Sequence, residues 1–147
     1  GIWMILISHR GNINGPNPEM ENDPRYIENT LGKGFNVEVD VWSNNSDFFL
    51  GHDKPEHQVS EMFLRHGSVW CHAKDIKTFY KLIEIGAHCF SHDQDEVALT
   101  TKGYLWSTYG NQMTGKSICV MPPRNIELPQ GIAGVCSDNV GYYNENL

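Results

Sequence analysis

The 147-residue sequence predicts an α/β fold built on mostly parallel strands, with helices packed outside them. Three observations lead there. Short apolar runs of strand length recur along the whole chain. Polar or helical segments separate them, as crossover connections would. Residues capable of chemistry fall at the carboxyl ends of successive runs, where parallel α/β folds build their sites because the strand-to-helix loops converge. A chain this long folds around one core, so residues 1–147 are read as a single domain.

Taken in order, the predicted strands cover residues 4–8 (MILIS), 36–41 (NVEVDV), 69–73 (VWCHA), 88–91 (HCFS), 104–107 (YLWS), 117–121 (SICVM) and 133–137 (AGVCS). A shorter run at 48–50 (FFL) follows the turn-forming residues 44–47 (NNSD), which predicts a small hairpin decorating the second strand. The clearest helix spans 75–86: Asp75 is its N-cap, Ile76, Phe79, Leu82 and Ile83 give the three-four spacing, and Gly86 stops it. A shorter helix is predicted from Ser60 to His66, ending at Gly67. Residues 12–23 (NINGPNPEMEND) read as a polar loop. The apolar run at 2–7 lacks a basic leader and is short for a signal segment, so it is taken as part of the first strand.

Composition excludes several classes of function. Hydrophobic residues make up 39% and charged residues 20%, which suits a globular domain. With 11 basic against 18 acidic residues the formal net charge is -7, and no basic run is present, so nucleic-acid binding is not expected. No apolar stretch approaches the roughly 20 residues of a membrane span. Cys71, Cys89, Cys119 and Cys136 form no CxxC pair and sit in apolar runs, which predicts buried, reduced thiols and a cytoplasmic setting.

The strand ends carry His9-Arg10, Glu38 and Asp40, His72 and Lys74, His92-Asp93, and Asp138. Glu38 and Asp40 are two apart on one strand, so both carboxylates project to the same side. Two like charges on a buried face are costly unless a cation neutralises them. His9 and His52 offer two imidazoles near that pair, and Arg10 and Lys74 offer positive charge. Cleaving a phosphodiester needs those parts: a base for the nucleophile, an acid for the leaving oxygen, and positive charge for the phosphoryl oxygens.

In this order, His9-Arg10-Gly11, Glu28-Asn29-Thr30, Glu38-Val39-Asp40 and Gly51-His52-Asp53 resemble the signature of glycerophosphodiester phosphodiesterases, a branch of the phosphatidylinositol-phospholipase-C-like superfamily. The resemblance implies a TIM-type (β/α) barrel. It implies that His9 and His52 are the acid–base pair, assisted by Lys74, and that Glu38 and Asp40 bind Mg²⁺ or Ca²⁺ with Glu28 close by. It implies also that Arg10, Asn29 and Lys74 hold a small phosphodiester substrate. One departure stands out: the family places an acid two residues before the lysine, and here that position is His72. An imidazole is a poorer partner for Mg²⁺ or Ca²⁺ than for softer ions, which admits Mn²⁺.

A full barrel takes about 250 residues, and roughly 200 is the lower range. The expectation is therefore a shortened TIM-type barrel of mostly parallel strands with several helices reduced to loops. An open seam in it could be covered by a second copy. The expected activity is metal-dependent phosphodiester cleavage by paired histidines. Its alternatives are a lyase that releases a cyclic phosphate, or a phosphate- and metal-binding module without turnover.

Overall fold

The computed structural model describes residues 3–124 and 126–146, so Ile2, at the head of the first apolar run, lies outside them. The described residues form ten strands and four short helices. In chain order these are β1 (Ile5–His9), α1 (Pro24–Gly32), β2 (Asn36–Asn44), β3 (Asp47–Leu50), β4 (His57–Val59), α2 (Glu61–Leu64) and β5 (Val69–Ala73). There follow α3 (Ile76–Glu84), β6 (Cys89–Ser91), β7 (Val97–Leu99), β8 (Leu105–Thr108), β9 (Ser117–Val120), β10 (Gly134–Ser137) and α4 (Val140–Asn146).

Each of the seven longer apolar runs is a strand, and these seven lie parallel in the order β6-β5-β2-β1-β10-β9-β8. The expected shortened TIM-type barrel is not what they build. The sheet is mixed and open: β7 pairs antiparallel with β8 at one end, β3 and β4 pair antiparallel off β2, and no ladder joins β6 to β8 among the described residues. The result is a β-rich fold with few helices. The physical reason lies in the connections. Among the described residues only turns and loops lie between β8 and β9 and between β9 and β10, so the one helix that reaches that half is α4, which follows β10 and packs against it and β1.

The sheet nevertheless curls strongly. Trp70 on β5 and Trp106 on β8 are separated along the sheet by β2, β1, β10 and β9, yet their ring centroids are 5.8 Å apart. Phe90 on β6 lies 4.6 Å from Trp106. Together with Ile5, Ile7, Ile118 and Cys136 these rings fill the concave face. The convex face of the β2–β5–β6 half packs Val37, Val39, Val41, Cys71 and Cys89 under Ile27 of α1, Leu64 of α2 and Leu82 of α3. Tyr104 packs against Trp70 at the amino ends of the strands. The four cysteines are unpaired and buried, and burial pushes the thiols of Cys89 and Cys119 up to about 11.

Alternation decides which side chains face the hollow. On β1 the concave set is Ile5, Ile7 and then His9; on β5 it is Trp70 and then His72. Val37, Val39 and Val41 turn outward, so Glu38 and Asp40 turn in. The floor of the hollow is aromatic and its carboxyl-terminal rim is charged.

Two expectations about elements need correction. Helix α3 starts from its Asp75 cap as predicted, but its buried residues are Thr78 and Leu82, while Ile76, Tyr80 and Ile83 are exposed. A buried bond of 2.8 Å between the hydroxyls of Ser43 and Thr78 fixes that rotation. Helix α1, read as part of no element, follows an Asp23 N-cap with Pro24 in the first turn.

Candidate functional site

Sheet register assembles the centre. His9 pairs with Glu38 across β1 and β2, and Asp40 pairs with His72 across β2 and β5. Neighbouring strands thus bring a His beside each carboxylate on the concave side. Ligand atoms of Glu38, Asp40 and His72 all lie within 4.8 Å of one another.

Asp40 is the most heavily partnered of these groups. Its Oδ2 accepts from Asn22 Nδ2 at 3.0 Å and sits 2.9 Å from Arg10 Nε, off the line of a hydrogen bond, so that contact is ionic. Its Oδ1 is 3.0 Å from His72 Nδ1 and 4.0 Å from Lys74 Nζ. Burial alone would raise its pKa; the bond from His72, the Arg10 charge and the bond from Asn22 outweigh it and hold Asp40 well below the usual carboxylate range. Glu38 goes the other way. Burial and the adjacent Asp40 charge push its pKa up, against the pull of His9, His72 and Arg10.

His9 is oriented by a relay of polar groups. The Tyr26 hydroxyl donates to Asn12 Oδ1 at 2.9 Å, and Asn12 Nδ2 donates to Asp138 Oδ1 at 2.8 Å. His9 Nδ1 lies 2.7 Å from the same Asp138 oxygen. Nδ1 therefore carries the donated hydrogen, and Nε2 points at Glu38 Oε1, 3.9 Å away. Burial lowers the pKa of His9, but Asp138 and Glu38 more than offset it and the net shift is upward. Asp138, although desolvated, is held below its ordinary value by the bonds from His9 and Asn12.

Arg10 reaches the site through a break in strand alternation. Its φ of 60° is left-handed, so two consecutive residues, His9 and Arg10, both serve the centre instead of pointing to opposite faces. Arg10 Nη1 donates to Glu21 Oε1 at 3.3 Å, and Nη2 donates to His52 Nδ1 at 2.6 Å. Because a guanidinium is only a donor, the ring hydrogen of His52 sits on Nε2 in this arrangement. His52 is half exposed, and its Nδ1 is 3.6 Å from Asp40 Oδ2.

Two glycines hold the loops in place. A Cβ on Gly11, whose φ is 102°, would meet the Tyr26 ring at 2.5 Å, and one on Gly51 would collide with the Lys54 carbonyl. Gly51 is further fixed by its N–H to the Asp40 carbonyl at 3.2 Å and by Trp42 Nε1 donating to its own carbonyl at 2.7 Å. Trp42 thus fastens the His52 loop.

The structure brings together His9, Arg10, Glu38, Asp40, His52, His72 and Lys74 of the predicted residues. It does not bring Glu28 or Asn29 to them. Helix α1 buries Ile27 and Thr30, which turns the two residues between them outward, so Glu28 is exposed and outside the converging group. Asn29 lines a separate pocket of about 290 Å³ with Ile13, Asn14 and Lys33. From that triplet it is Thr30 that serves the site, its hydroxyl donating to the Gly11 carbonyl at 2.6 Å. Sequence reasoning missed Asn22, Glu21 and Asn12, which sat in a loop read only as polar. It also missed the backbone carbonyl of His92, which is 3.1 Å from His72 Nε2.

Whether these residues suit a cation can be judged from the donors. Glu38 Oε1 is buried and has no hydrogen-bond partner among the described residues, an expensive state for a carboxylate oxygen. Two carboxylates and an imidazole with ligand atoms within 4.8 Å of one another, one of the carboxylates keeping a buried oxygen without a partner, fit a divalent ion. A neighbouring pocket of about 330 Å³, lined by His72, Lys74, Asp75, Ser91, His92 and Asp93, opens beside the group. No helix of the described residues is long and apolar enough to cross a membrane. Comparison with protein-family models, with curated proteins and with solved structures returns no match to this chain.

Proposed function

We propose that this centre cleaves phosphodiesters of small alcohols by paired-histidine acid–base catalysis. The observation that carries the reading is that His9 and His52, from separate elements, each approach a different carboxylate of the Glu38–Asp40 pair, with Arg10 touching one imidazole and one carboxylate. A site that only bound phosphate would have no chemical need for two oriented imidazoles.

Arg10 and Lys74 hold the phosphate oxygens; a substrate that takes over the Arg10 guanidinium frees His52 Nδ1 of its donor. The freed imidazole accepts the proton of the attacking hydroxyl. As the new P–O bond forms and the bond to the leaving alcohol breaks, His9 gives its proton to the departing oxygen. The raised pKa of His9 suits the acid role. Water as nucleophile yields a monoester and an alcohol; a hydroxyl of the substrate itself yields a cyclic phosphate. Glu38, Asp40 and His72 would hold a divalent cation, and when bound it supplies positive charge to the phosphoryl oxygens. Such an ion would also make a chain of net charge -7 compatible with an anionic substrate.

The test is cleavage of a panel of glycerophosphodiesters followed by phosphorus NMR, with Mg²⁺, Ca²⁺ or Mn²⁺ against a chelator. Wild type should turn over at least one member, and His9→Ala should lose about 10²–10⁴ of that rate. Equal rates in wild type and His9→Ala would remove the proposal.

A further inference from the structure

We infer that the cation taken here is a transition-metal ion of the Mn²⁺, Co²⁺ or Zn²⁺ kind, chosen over Mg²⁺ and Ca²⁺ by the imidazole of His72. This deepens the reading above and rests on Glu38, Asp40 and His72 being its cation site. Mg²⁺ and Ca²⁺ are hard ions that take oxygen, and Ca²⁺ takes about six to eight of them. The side-chain oxygens here are few. Asp40 Oδ2 is engaged by Asn22 and faces Arg10, and Asn22 Oδ1 is used by the Asp40 N–H at 3.0 Å. Asp40 Oδ1 and the Glu38 carboxylate remain, beside one imidazole nitrogen. A mixed oxygen–nitrogen set of three residues, with positions left open, suits borderline ions.

The setting of His72 strengthens the case. Its Nε2 donates to the His92 carbonyl at 3.1 Å, which leaves Nδ1, 3.0 Å from Asp40 Oδ1 and 3.8 Å from Glu38 Oε2, as the ligand atom; a bound cation would take the place of the hydrogen that Nδ1 shares with Asp40. Phe90 lies flat against the ring, with centroids 5.3 Å apart and planes within 1°. A carbonyl partner on the far nitrogen and a packed ring face are what orient an imidazole as a metal ligand. Charge points the same way. Arg10 and Lys74 already place two positive charges beside Asp40, which penalises an ion held by charge alone. A nitrogen donor restores affinity for ions that bond to it strongly. The Glu38 carboxylate, with Oε2 toward His72 and Oε1 toward His9, is buried and keeps Oε1 without a hydrogen-bond partner among the described residues, which is the independent sign that a ligand belongs at this carboxylate.

The test titrates each metal ion alone into the chelator-treated chain and follows binding by calorimetry. Transition ions outrank hard ones at most sites, so the decisive quantity is how the preference depends on His72. Wild type should bind Co²⁺, Mn²⁺ and Zn²⁺ at least about tenfold tighter than Mg²⁺ and Ca²⁺, and His72→Asp, verified as folded by circular dichroism, should narrow that gap by about tenfold or more. A second readout needs no variant: Co²⁺-loaded wild type should show a hyperfine-shifted, solvent-exchangeable imidazole N–H proton in its NMR spectrum, from His72 Nε2. Mg²⁺ or Ca²⁺ binding as tightly as Co²⁺, an unchanged gap in folded His72→Asp, no shifted N–H, or no binding of any ion overturns the inference. Diester cleavage supported equally by Mg²⁺ would sink it while leaving the proposed function standing. Selective Co²⁺ binding without any cleavage would do the reverse.

Discussion

Each of the two central histidines has one nitrogen spoken for. His9 gives Nδ1 to Asp138, and His52 takes Arg10 at Nδ1, so the same ring atom is a donor in one and an acceptor in the other. Asp138 is a positioning residue on this account. Asp138→Asn can turn an amide N–H toward His9, which favours the wrong tautomer and removes the charge that supports its protonated form. The expected result is a fall in kcat of about tenfold or more with KM little changed. A loss confined to KM would place Asp138 in substrate binding instead. At this scale the sequence was readable where spacing has geometric meaning. Two residues apart on a strand put Glu38 and Asp40 on one face, and strand ends marked His9, His72 and Lys74. Glu28 and Asn29 were misplaced because their helix was unseen, so nothing in the local pattern showed them turned outward. Asn22 and Glu21 carried no signal at all, since a loop residue reaches a site through the path of the chain.

Elements show the same division. The seven parallel strands announced themselves as apolar runs. The antiparallel strands β4 and β7 did not, because three residues, with one buried position in β7 and none in β4, leave no pattern to read. Helix α1 has only Ile27 and Leu31 as aliphatic contacts, too few to show a period, although the Asp23-Pro24 start was there to be used. In α3 the apolar residues misled: Ile76 and Ile83 are exposed, and a polar residue, Thr78, faces the sheet. The Ser43–Thr78 bond makes a prediction. Thr78→Ala should cost about 1–3 kcal/mol by leaving the Ser43 hydroxyl buried and unpaired, as measured by urea unfolding. No change in the midpoint would mean that packing by Leu82 alone sets the rotation of the helix.

For the molecule as a whole, curvature rather than closure forms the hollow. Local patterns carry the longer parallel strands, but whether the two ends of a sheet meet depends on summed twist and on the length of the connections, which no short window encodes. Aromatic rings that meet across the concave face take the place of the missing ladder. His88 belongs to this lower layer, its ring 4.1 Å from Trp70 and its Nε2 2.8 Å from the Thr100 hydroxyl. Burial, with help from the Lys102 charge, lowers its pKa to about 4. The unfolded chain, with an ordinary value near 6.5, takes the proton first as pH falls. His88 thus contributes stability in full above about pH 6.5, and that contribution is lost between about 6.5 and 4. The full shift corresponds to roughly 3 kcal/mol. His88 is only 4% exposed, yet it edges a pocket open to solvent beside Lys102, so screening reduces the effect to about 1–2 kcal/mol. About half of that, roughly 0.5–1 kcal/mol, should be lost between pH 7 and pH 5 in urea unfolding of wild type, and less in His88→Gln.

The most direct check on the central claim is kcat/KM for one cleaved diester in wild type, His9→Ala, His52→Ala and the double variant. If the two imidazoles act as one acid–base unit, each single variant should lose about 10²–10⁴ and the double variant little more than the worse single. Either single variant cleaving as fast as wild type, with its fold intact, would contradict the account.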